Sequence, residues 1–253
     1  MEISVIISTY NRPDALKLSI NSLANQTCLP SEIIIADDGS TSETGELIQK
    51  LNEEIAIPII HCWQEDKGFR LARVRNLALS KCHYKYVIQI DGDIITHPKY
   101  IEDHLSYAKP GLYLSGRRIE LTQADTQFCL ERGVLVYNDK STTKATHRMR
   151  NKLLMEACKP SFINKLLNTG VFGCNMSYWL KDALDINGYN EDFEGWGKED
   201  DEFAFRMMQS GIERKTIRFG AIQYHLEHPP ESRQNLENNN QKYLDLLESQ
   251  KKG

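Results

Sequence analysis

The sequence lacks a hydrophobic run long enough to cross a membrane. Its longest uncharged stretch, residues 166–180, contains Asn168, Thr169 and Asn175, whereas a bilayer span needs about 20 consecutive apolar residues. The chain begins Met1-Glu2-Ile3-Ser4-Val5, without a basic region ahead of an apolar segment. We therefore expect no transmembrane helix and no secretory signal.

The six cysteines lack the CxxC spacing of metal and redox sites; they are Cys28, Cys62, Cys82, Cys129, Cys158 and Cys174. Scattered cysteines are typical of a protein with free thiols in a reducing compartment. We therefore predict a cytoplasmic protein. If it also contacts the cell membrane peripherally, the contact would be at the inner face.

The chain has no excess of positive charge, and it lacks the sequence motifs of several other protein classes. Lys and Arg number 31 against 35 Asp and Glu, a net charge of -4, so a nucleic-acid partner is not expected. The chain has no GxxxxGK[ST], no GxGxxG after the first predicted strand and no GxSxG. These absences exclude P-loop, dinucleotide-binding and α/β-hydrolase interpretations.

What is present is an ordinary globular composition with an alternating pattern. The 253 residues, 40% hydrophobic and 26% charged, suit one large domain or two small ones. Strands are predicted at 3–8, 33–36, 57–61 and 86–90, alternating with helices that begin at Pro13 and span 43–51 and 71–80. Strands that alternate with helices indicate an α/β fold with a parallel sheet covered on both faces.

The second half is less regular. We predict strands at 112–115, 212–219 and 221–225, and a helix from Glu199. Residues 233–250 are predicted as a polar amphipathic helix, whose sparse apolar stripe consists of Leu236, Tyr243, Leu244 and Leu247.

Polar clusters follow three of the predicted strands, at 8–12, 37–40 and 91–93. Since ligands of such sheets bind beyond the carboxyl ends of the strands, these clusters predict one site. In Asp91-Gly92-Asp93, two carboxylates around a glycine turn suit a hard cation and its bound phosphates; the alternative is an acidic turn that caps a helix. Asp37 and Asp38 could likewise cap the next helix, the simpler interpretation, or hold a nucleobase.

Three arginines, Arg70, Arg73 and Arg75, lie at the predicted start of a helix. Cations at this end oppose the helix dipole, so a nearby anionic ligand such as a diphosphate would resolve the conflict. The alternative, a solvated helix face, is expected to hold for at least one of them.

Residues 195–202 are the most informative segment, because glycines flank Trp196 and four acids then enter a helix. A helix start favours acids, but four exceed that need. The tryptophan suits stacking on a sugar, and one acid could be a general base for a sugar hydroxyl. Further on, His225 and His228 could join Asp93 in a site of the kind that suits Mn²⁺.

A basic run lies between residues 140 and 152: Lys140, Lys144, His147, Arg148, Arg150 and Lys152. It could dock an anionic lipid-linked acceptor or an anionic membrane surface. A solvated loop is an equal alternative.

Together these segments resemble glycosyltransferase family 2, inverting enzymes with the GT-A fold. The nucleotide-binding half of that family is matched by Val5-Ile6-Ile7-Ser8-Thr9-Tyr10-Asn11-Arg12, Ala36-Asp37-Asp38-Gly39-Ser40 and Asp91-Gly92-Asp93. The second half resembles β-1,4-galactosyltransferases and bacterial chondroitin polymerases, through Phe172-Gly173-Cys174-Asn175-Met176-Ser177, Ile186-Asn187-Gly188-Tyr189 and Gly195-Trp196-Gly197-Lys198-Glu199-Asp200-Asp201.

The resemblance implies a role for each matching residue. The nucleotide-sugar would be held by Thr9, Arg12, Asp38, Arg70, Arg73, Asp91, Gly92, Asp93 and Gly173. Asp200 matches the catalytic base, while Trp196, Glu199 and Asp201 match acceptor contacts. Asp93, His228 and His225 match the region that binds Mn²⁺ or Mg²⁺. Galactosyltransferases have a second glycine where this chain has Cys174, which leaves the donor sugar open.

The resemblance also implies an organisation and an activity. Residues 1–110 would form the nucleotide-sugar half, residues 111–230 the acceptor and catalytic half of the same domain, and residues 231–253 a helical tail. The expected activity is transfer of a hexose or N-acetylhexosamine from a UDP-sugar to a saccharide or lipid-linked saccharide, in bacterial surface polysaccharide synthesis. The alternatives are a sugar-nucleotide nucleotidyltransferase and a non-catalytic saccharide-binding module. The sequence gives no oligomeric state.

Overall fold

The fold is built on a seven-stranded sheet. The computed structural model describes residues 1–133, 149–157 and 170–249. The strand order in the large sheet is β3-β2-β1-β4-β8-β6-β9, and a small sheet has the order β5-β10-β7. The strands are β1 (Ile3–Thr9), β2 (Glu32–Asp37), β3 (Ile59–Trp63), β4 (Tyr86–Asp91), β5 (Ile94–Thr96), β6 (Leu112–Ser115), β7 (Ile119–Glu120), β8 (Met176–Trp179), β9 (Glu213–Thr216) and β10 (Gln223–His225).

The large sheet is mostly parallel, as predicted. Strand β8 runs antiparallel to β4 and β6, and the other neighbouring pairs are parallel. Strands β6, β8 and β9 of the second half thus extend the sheet that the first half begins.

Helices lie on both faces of the sheet. They are α1 (Pro13–Ala24), α2 (Ser42–Glu54), α3 (Leu71–Leu79), α4 (Tyr100–Leu105), α5 (Gln123–Arg132), α6 (Lys152–Ala157), α7 (Leu180–Asp185), α8 (Glu199–Gln209) and α9 (Leu236–Ser249).

Alternation along β1 explains why both faces are covered. Val5 and Ile7 belong to one core cluster with Leu16 of α1, whereas Ile6 belongs to another with Val74 of α3. Successive side chains of a strand point to opposite faces, so a continuous apolar run needs a partner layer on each side.

The predicted strand at 212–219 is too long. Strand β9 ends at Thr216, and Phe219 and Ala221 have positive φ values of 59° and 49°. Few non-glycine residues adopt this conformation, and it interrupts an extended strand. The chain resumes as β10 in the small sheet, where His225 pairs in register with Ile94 and Glu120.

Helix α9 packs against the second half through a stripe that differs from the predicted one. Tyr243 is buried with Phe193 and Phe205, and Leu246 and Leu247 pack beside them. Leu244 was predicted in the stripe, but it is 50% exposed, because the 100° step from Tyr243 turns it away from the contact. The polar residue Asn239 is fully buried.

Much of the basic run lies outside the described residues, including Lys140, Lys144, His147 and Arg148. Within them, Arg150 donates to Asp103 at 2.8 Å from Nη2 and 3.1 Å from Nε. Its charge is therefore already paired with a buried carboxylate. No helix of the described residues is long and apolar enough to span a membrane.

Candidate active site

A cleft lies at the carboxyl edge of the large sheet. Thr9 at the end of β1 lines it, with Asp91 at the end of β4 and Gly92 and Asp93 after that strand. The turn around Gly173 and the start of α8 also line the cleft. The polar clusters predicted to share one edge of the sheet do lie together.

The acidic pair after β2 has two different roles. Asp37 accepts a hydrogen bond from the Ser40 N–H at 2.8 Å and contacts His61 Nε2 at 2.8 Å, so it stabilises the turn. Asp38 lines the cleft and accepts from the backbone N–H of Arg70 at 2.7 Å and from Gln64. Burial raises the pKa of Asp38, although these hydrogen bonds act to lower it.

Asp93 faces two histidines. Its Oδ2 lies 3.4 Å from His225 Nε2 and 3.2 Å from His228 Nε2, and it accepts from Arg12 Nη1 at 3.0 Å. One ligand atom from each of the carboxylate and the two rings lies within 4.8 Å of the others. Burial alone would raise the pKa of Asp93, but the hydrogen bonds from both histidines lower it well below its usual range.

Each imidazole is held through its other nitrogen. His225 Nδ1 lies 2.6 Å from Glu120 Oε2, and His228 Nδ1 lies 2.7 Å from the Pro229 carbonyl oxygen. Each Nε2–H faces Asp93 and donates to it, and loss of that proton would free the Nε2 lone pair for an ion held together with the Asp93 carboxylate. The buried Asp93 Oδ1 has no hydrogen-bond partner among the described residues. One carboxylate and two imidazoles are therefore a donor set that fits a divalent transition metal such as Mn²⁺.

Arg75 is the central residue that the sequence-based assignment missed. It is 1% exposed and donates from Nη1 to Asp200 Oδ1 at 2.8 Å and from Nη2 to Asp91 Oδ1 at 3.3 Å. Burial alone would lower the pKa of Arg75, but the surrounding acids, Asp200 above all, raise it. One cation thus joins the acid at the end of β4 to the acid at the start of α8.

The neighbouring arginines are placed differently. The side chain of Arg73 is exposed and does not line the cleft, because a helix turns about 200° over two residues and Arg75 points inward. Arg70 reaches the site through its backbone N–H, while its guanidinium donates to the Glu65 carbonyl oxygen. The signal for Arg75 was its place in the apolar stripe of α3, three residues after Ala72 and four before Leu79, both buried.

Asp200 is oriented by two donors. Its Oδ1 accepts from Arg75, and its Oδ2 accepts from the Gly173 N–H at 3.0 Å. A Cβ at Gly173 would overlap this carboxylate, so the close approach requires glycine. The Asp200 side chain is 18% exposed. Burial raises its pKa, and Arg75 opposes this shift.

The acids on either side of Asp200 have different environments. Burial, reinforced by the Asp200 charge, raises the pKa of Glu199 to about 8, and its buried Oε2 has no partner among the described residues. Asp201 accepts from the Val171 N–H at 3.2 Å and from Lys198 Nζ at 2.9 Å. All three carboxylates line the cleft, and Asp200 is the most exposed of them, at 18% against 9% for Glu199 and 11% for Asp201.

Trp196 and residues of the carboxyl-terminal segment also line the cleft. Trp196 is 39% exposed, and the Arg233 guanidinium lies 5.1 Å from the centre of its ring. Arg233, Leu236 and Asn240 also line the cleft. Cys174 is buried beside Gly173, and Arg118 Nη1 lies 3.9 Å from its sulfur. The structure therefore brings all of the predicted site residues to one cleft except the side chains of Arg70 and Arg73.

Comparison with known families agrees with this geometry. A family model described as glycosyl transferase family 2 matches residues 4–165. A second model, described as the N-terminal domain of galactosyltransferase, matches residues 156–229. The first match covers the strands that end at the cleft, and the second covers Gly173, Asp200 and the two histidines.

Individual proteins also resemble this chain over most of its length. Chondroitin synthase of Escherichia coli is 27% identical over 90% of this chain, which spans 35% of that protein. The solved structure of S. aureus TarS 1-349 in complex with UDP has a TM-score of 0.64 at 17% identity, over 94% of this chain and 63% of that one. The mannosyltransferase PcManGT from Pyrobaculum calidifontis, solved with GDP-Man and Mn²⁺, has a TM-score of 0.61 at 15% identity, over 89% and 56%.

Proposed function

We propose that this chain, which belongs to glycosyltransferase family 2, transfers a hexose or N-acetylhexosamine from a UDP-sugar to a saccharide hydroxyl with inversion at the anomeric carbon. The observation that carries the proposal is the position of Arg75 between Asp91 and Asp200. This position supports the proposal, because it joins the acid beside the proposed diphosphate site to the proposed base within one cleft.

The proposed reaction uses Asp200 as the general base. Its carboxylate accepts the proton of the acceptor hydroxyl, and the oxygen forms a bond to the anomeric carbon. The bond from that carbon to the diphosphate oxygen breaks on the opposite side, and UDP leaves with the electron pair. Burial raises the pKa of both Glu199 and Asp200, so the choice of Asp200 rests on its greater exposure to the cleft and on the donors that orient it.

Other residues of the cleft would hold the donor. Asp38 would accept a hydrogen bond from the nucleobase, and Thr9 and Arg12 would contact the diphosphate. Asp93, His225 and His228 would hold Mn²⁺ or Mg²⁺, with the imidazoles favouring Mn²⁺. When bound, the ion would neutralise the charge of the departing diphosphate.

The proposed role in polysaccharide synthesis rests on the similarity of the chain to chondroitin synthase. A bacterial surface polysaccharide, or its lipid-linked precursor, is the proposed acceptor class. The chain spans between a quarter and about a third of the length of the chondroitin and hyaluronan synthases that it matches. The activity and partners of the whole protein therefore belong to this proposal.

A panel of UDP-sugars tests the proposed function. Purified protein is incubated with UDP-glucose, UDP-galactose and their N-acetylhexosamine counterparts, with p-nitrophenyl glycosides as acceptor probes, and with either Mn²⁺ or EDTA. We expect release of UDP with one or two donors and Mn²⁺, and an inverted linkage by NMR. Pyrophosphate formation from UTP and a sugar phosphate would instead indicate a nucleotidyltransferase, and saccharide binding without UDP release would indicate a binding module.

A further inference from the structure

Helix α9, in the segment predicted as a tail, holds the loop that carries Trp196. Asn239 is fully buried, and its Nδ2 donates to two backbone carbonyl oxygens, those of Glu194 and Gly197, each at 3.0 Å. Carbonyl oxygens only accept hydrogen bonds. Both N–H groups of the amide are therefore used, one on a carbonyl before Trp196 and one on a carbonyl after it.

The loop needs such support, because its backbone conformation is uncommon. Gly195, Gly197 and Lys198 have positive φ values of 77°, 105° and 79°. Lysine in this region is strained, and strained backbone persists only where its surroundings fix it.

Other contacts from the same segment close over the loop. A Cβ at Gly195 would lie 2.7 Å from Asn235, and a Cβ at Gly197 would lie 2.9 Å from Leu236 Cδ1. Asn235 Nδ2 also donates to the Glu194 carbonyl oxygen at 3.2 Å. The loop and the first turns of α9 therefore fit together as one unit.

We infer that Asn239 is a positioning residue, which acts through the loop to hold Trp196 in place for the acceptor sugar. The inference rests on the proposed function. Asp200 has its own supports in Arg75 and Gly173, and the hydrogen bonds of Asn239 go to the loop and not to the residues proposed to hold the donor. Loss of the two hydrogen bonds from Asn239 to the loop therefore affects acceptor binding and leaves donor binding unchanged.

The test replaces the amide by a carboxylate. Asn239→Asp keeps the shape but puts an acceptor against two carbonyl oxygens, and Asn239→Ala removes both donors if the first variant fails to fold. Asn238→Asp is the matched control, because Asn238 is an exposed neighbour on the same helix. Two quantities are measured: amide hydrogen exchange of peptides that cover residues 194–198, and steady-state kinetics with UDP-sugar and a p-nitrophenyl glycoside.

For either Asn239 variant we expect faster exchange in these peptides and a rise of roughly tenfold in the KM of the glycoside, the scale of one to two lost hydrogen bonds. The KM of the UDP-sugar and its slow hydrolysis by water should stay within about twofold, since neither uses the loop. The control should match the wild type in every quantity.

Three results would overturn the inference: unchanged exchange in the folded Asn239 variants, unchanged glycoside KM despite faster exchange, or an equal loss of donor and acceptor kinetics. If the wild type turned over no UDP-sugar, the proposed function would fail. The exchange comparison would still decide whether Asn239 holds the loop.

Discussion

At the scale of single residues, burial distinguishes side chains of the same type and decides which of them interacts with the acids of the site. The three arginines of residues 70–75 look alike in the sequence, but only Arg75 is enclosed by acids, with Asp200, Asp91 and Glu199 within 3.7 Å of its guanidinium. Its position in the apolar stripe of α3 was visible in the sequence. Its partners were not, because they lie 16 and more than 100 positions away along the chain.

Arg75→Ala should abolish measurable transfer and also destabilise the protein. Removing one partner of a buried ion pair typically costs about 3–5 kcal/mol, since the remaining charges stay buried without compensation. Thermal melting and UDP release check both effects. Arg73→Ala is the matched control, and a loss of activity there as large as in Arg75→Ala would contradict the assignment.

At the scale of elements, continuous apolar runs predicted β1, β2 and β4 to within a residue or two. Of the small sheet, β10 lies within the strand predicted at 221–225, but β5 and β7 were not predicted, because they are two or three residues long and carry no periodic pattern. That sheet is nevertheless what places Glu120 behind His225.

Glu120→Gln should weaken the binding of Mn²⁺, because Glu120 holds the His225 ring. Burial alone would raise the pKa of Glu120, but the hydrogen bond with His225 lowers it to about 2, so the carboxylate is charged and orients the ring. Loss of a carboxylate behind a ligating histidine typically costs 10- to 100-fold in metal affinity.

The measurement is a Mn²⁺ titration of UDP release after treatment with EDTA, in which we expect the half-saturating concentration to rise roughly 10- to 100-fold. Glu213→Gln, on the exposed start of β9, is the control. Full activity of the wild type in EDTA would show that this cluster holds no required metal.

At the scale of the whole molecule, the sheet joins residues that are far apart in sequence. In the strand order β4-β8-β6-β9, neighbouring strands come from distant parts of the sequence. Strand β8 lies between β4 and β6 and runs antiparallel to both. Sequence reasoning predicted which segments reach the edge of the sheet. It could not predict that Gly173 would donate to Asp200 or that α9 would form part of the cleft.

Buried titratable groups also make the stability of the fold depend on pH. His104 is fully buried, contacting Ser177 Oγ at 2.8 Å and Asn175 Oδ1 at 3.1 Å. Burial lowers its pKa from 6.5 to about 3. Between these values the unfolded chain binds a proton that the folded protein does not, so His104 makes folding less favourable as pH falls through this window.

The variant His104→Gln should therefore flatten the dependence of unfolding free energy on pH between about 6.5 and 4. A single group contributes at most about 1.4 kcal/mol per pH unit. Urea unfolding at several pH values measures the slope, and an equal slope in the wild type and the variant would show that His104 does not set it.

The most direct test of the account is the turnover of Asp200→Asn, with Glu199→Gln and Asp201→Asn beside it. Asparagine keeps the shape of the side chain but cannot accept the acceptor proton, so kcat should fall by roughly 10²- to 10⁴-fold. The affinity for UDP should stay near the wild-type value, since other residues of the cleft are proposed to hold the nucleotide. The account predicts a smaller loss for either neighbour, and it would be contradicted if Asp200→Asn kept near-normal turnover while one of them abolished it.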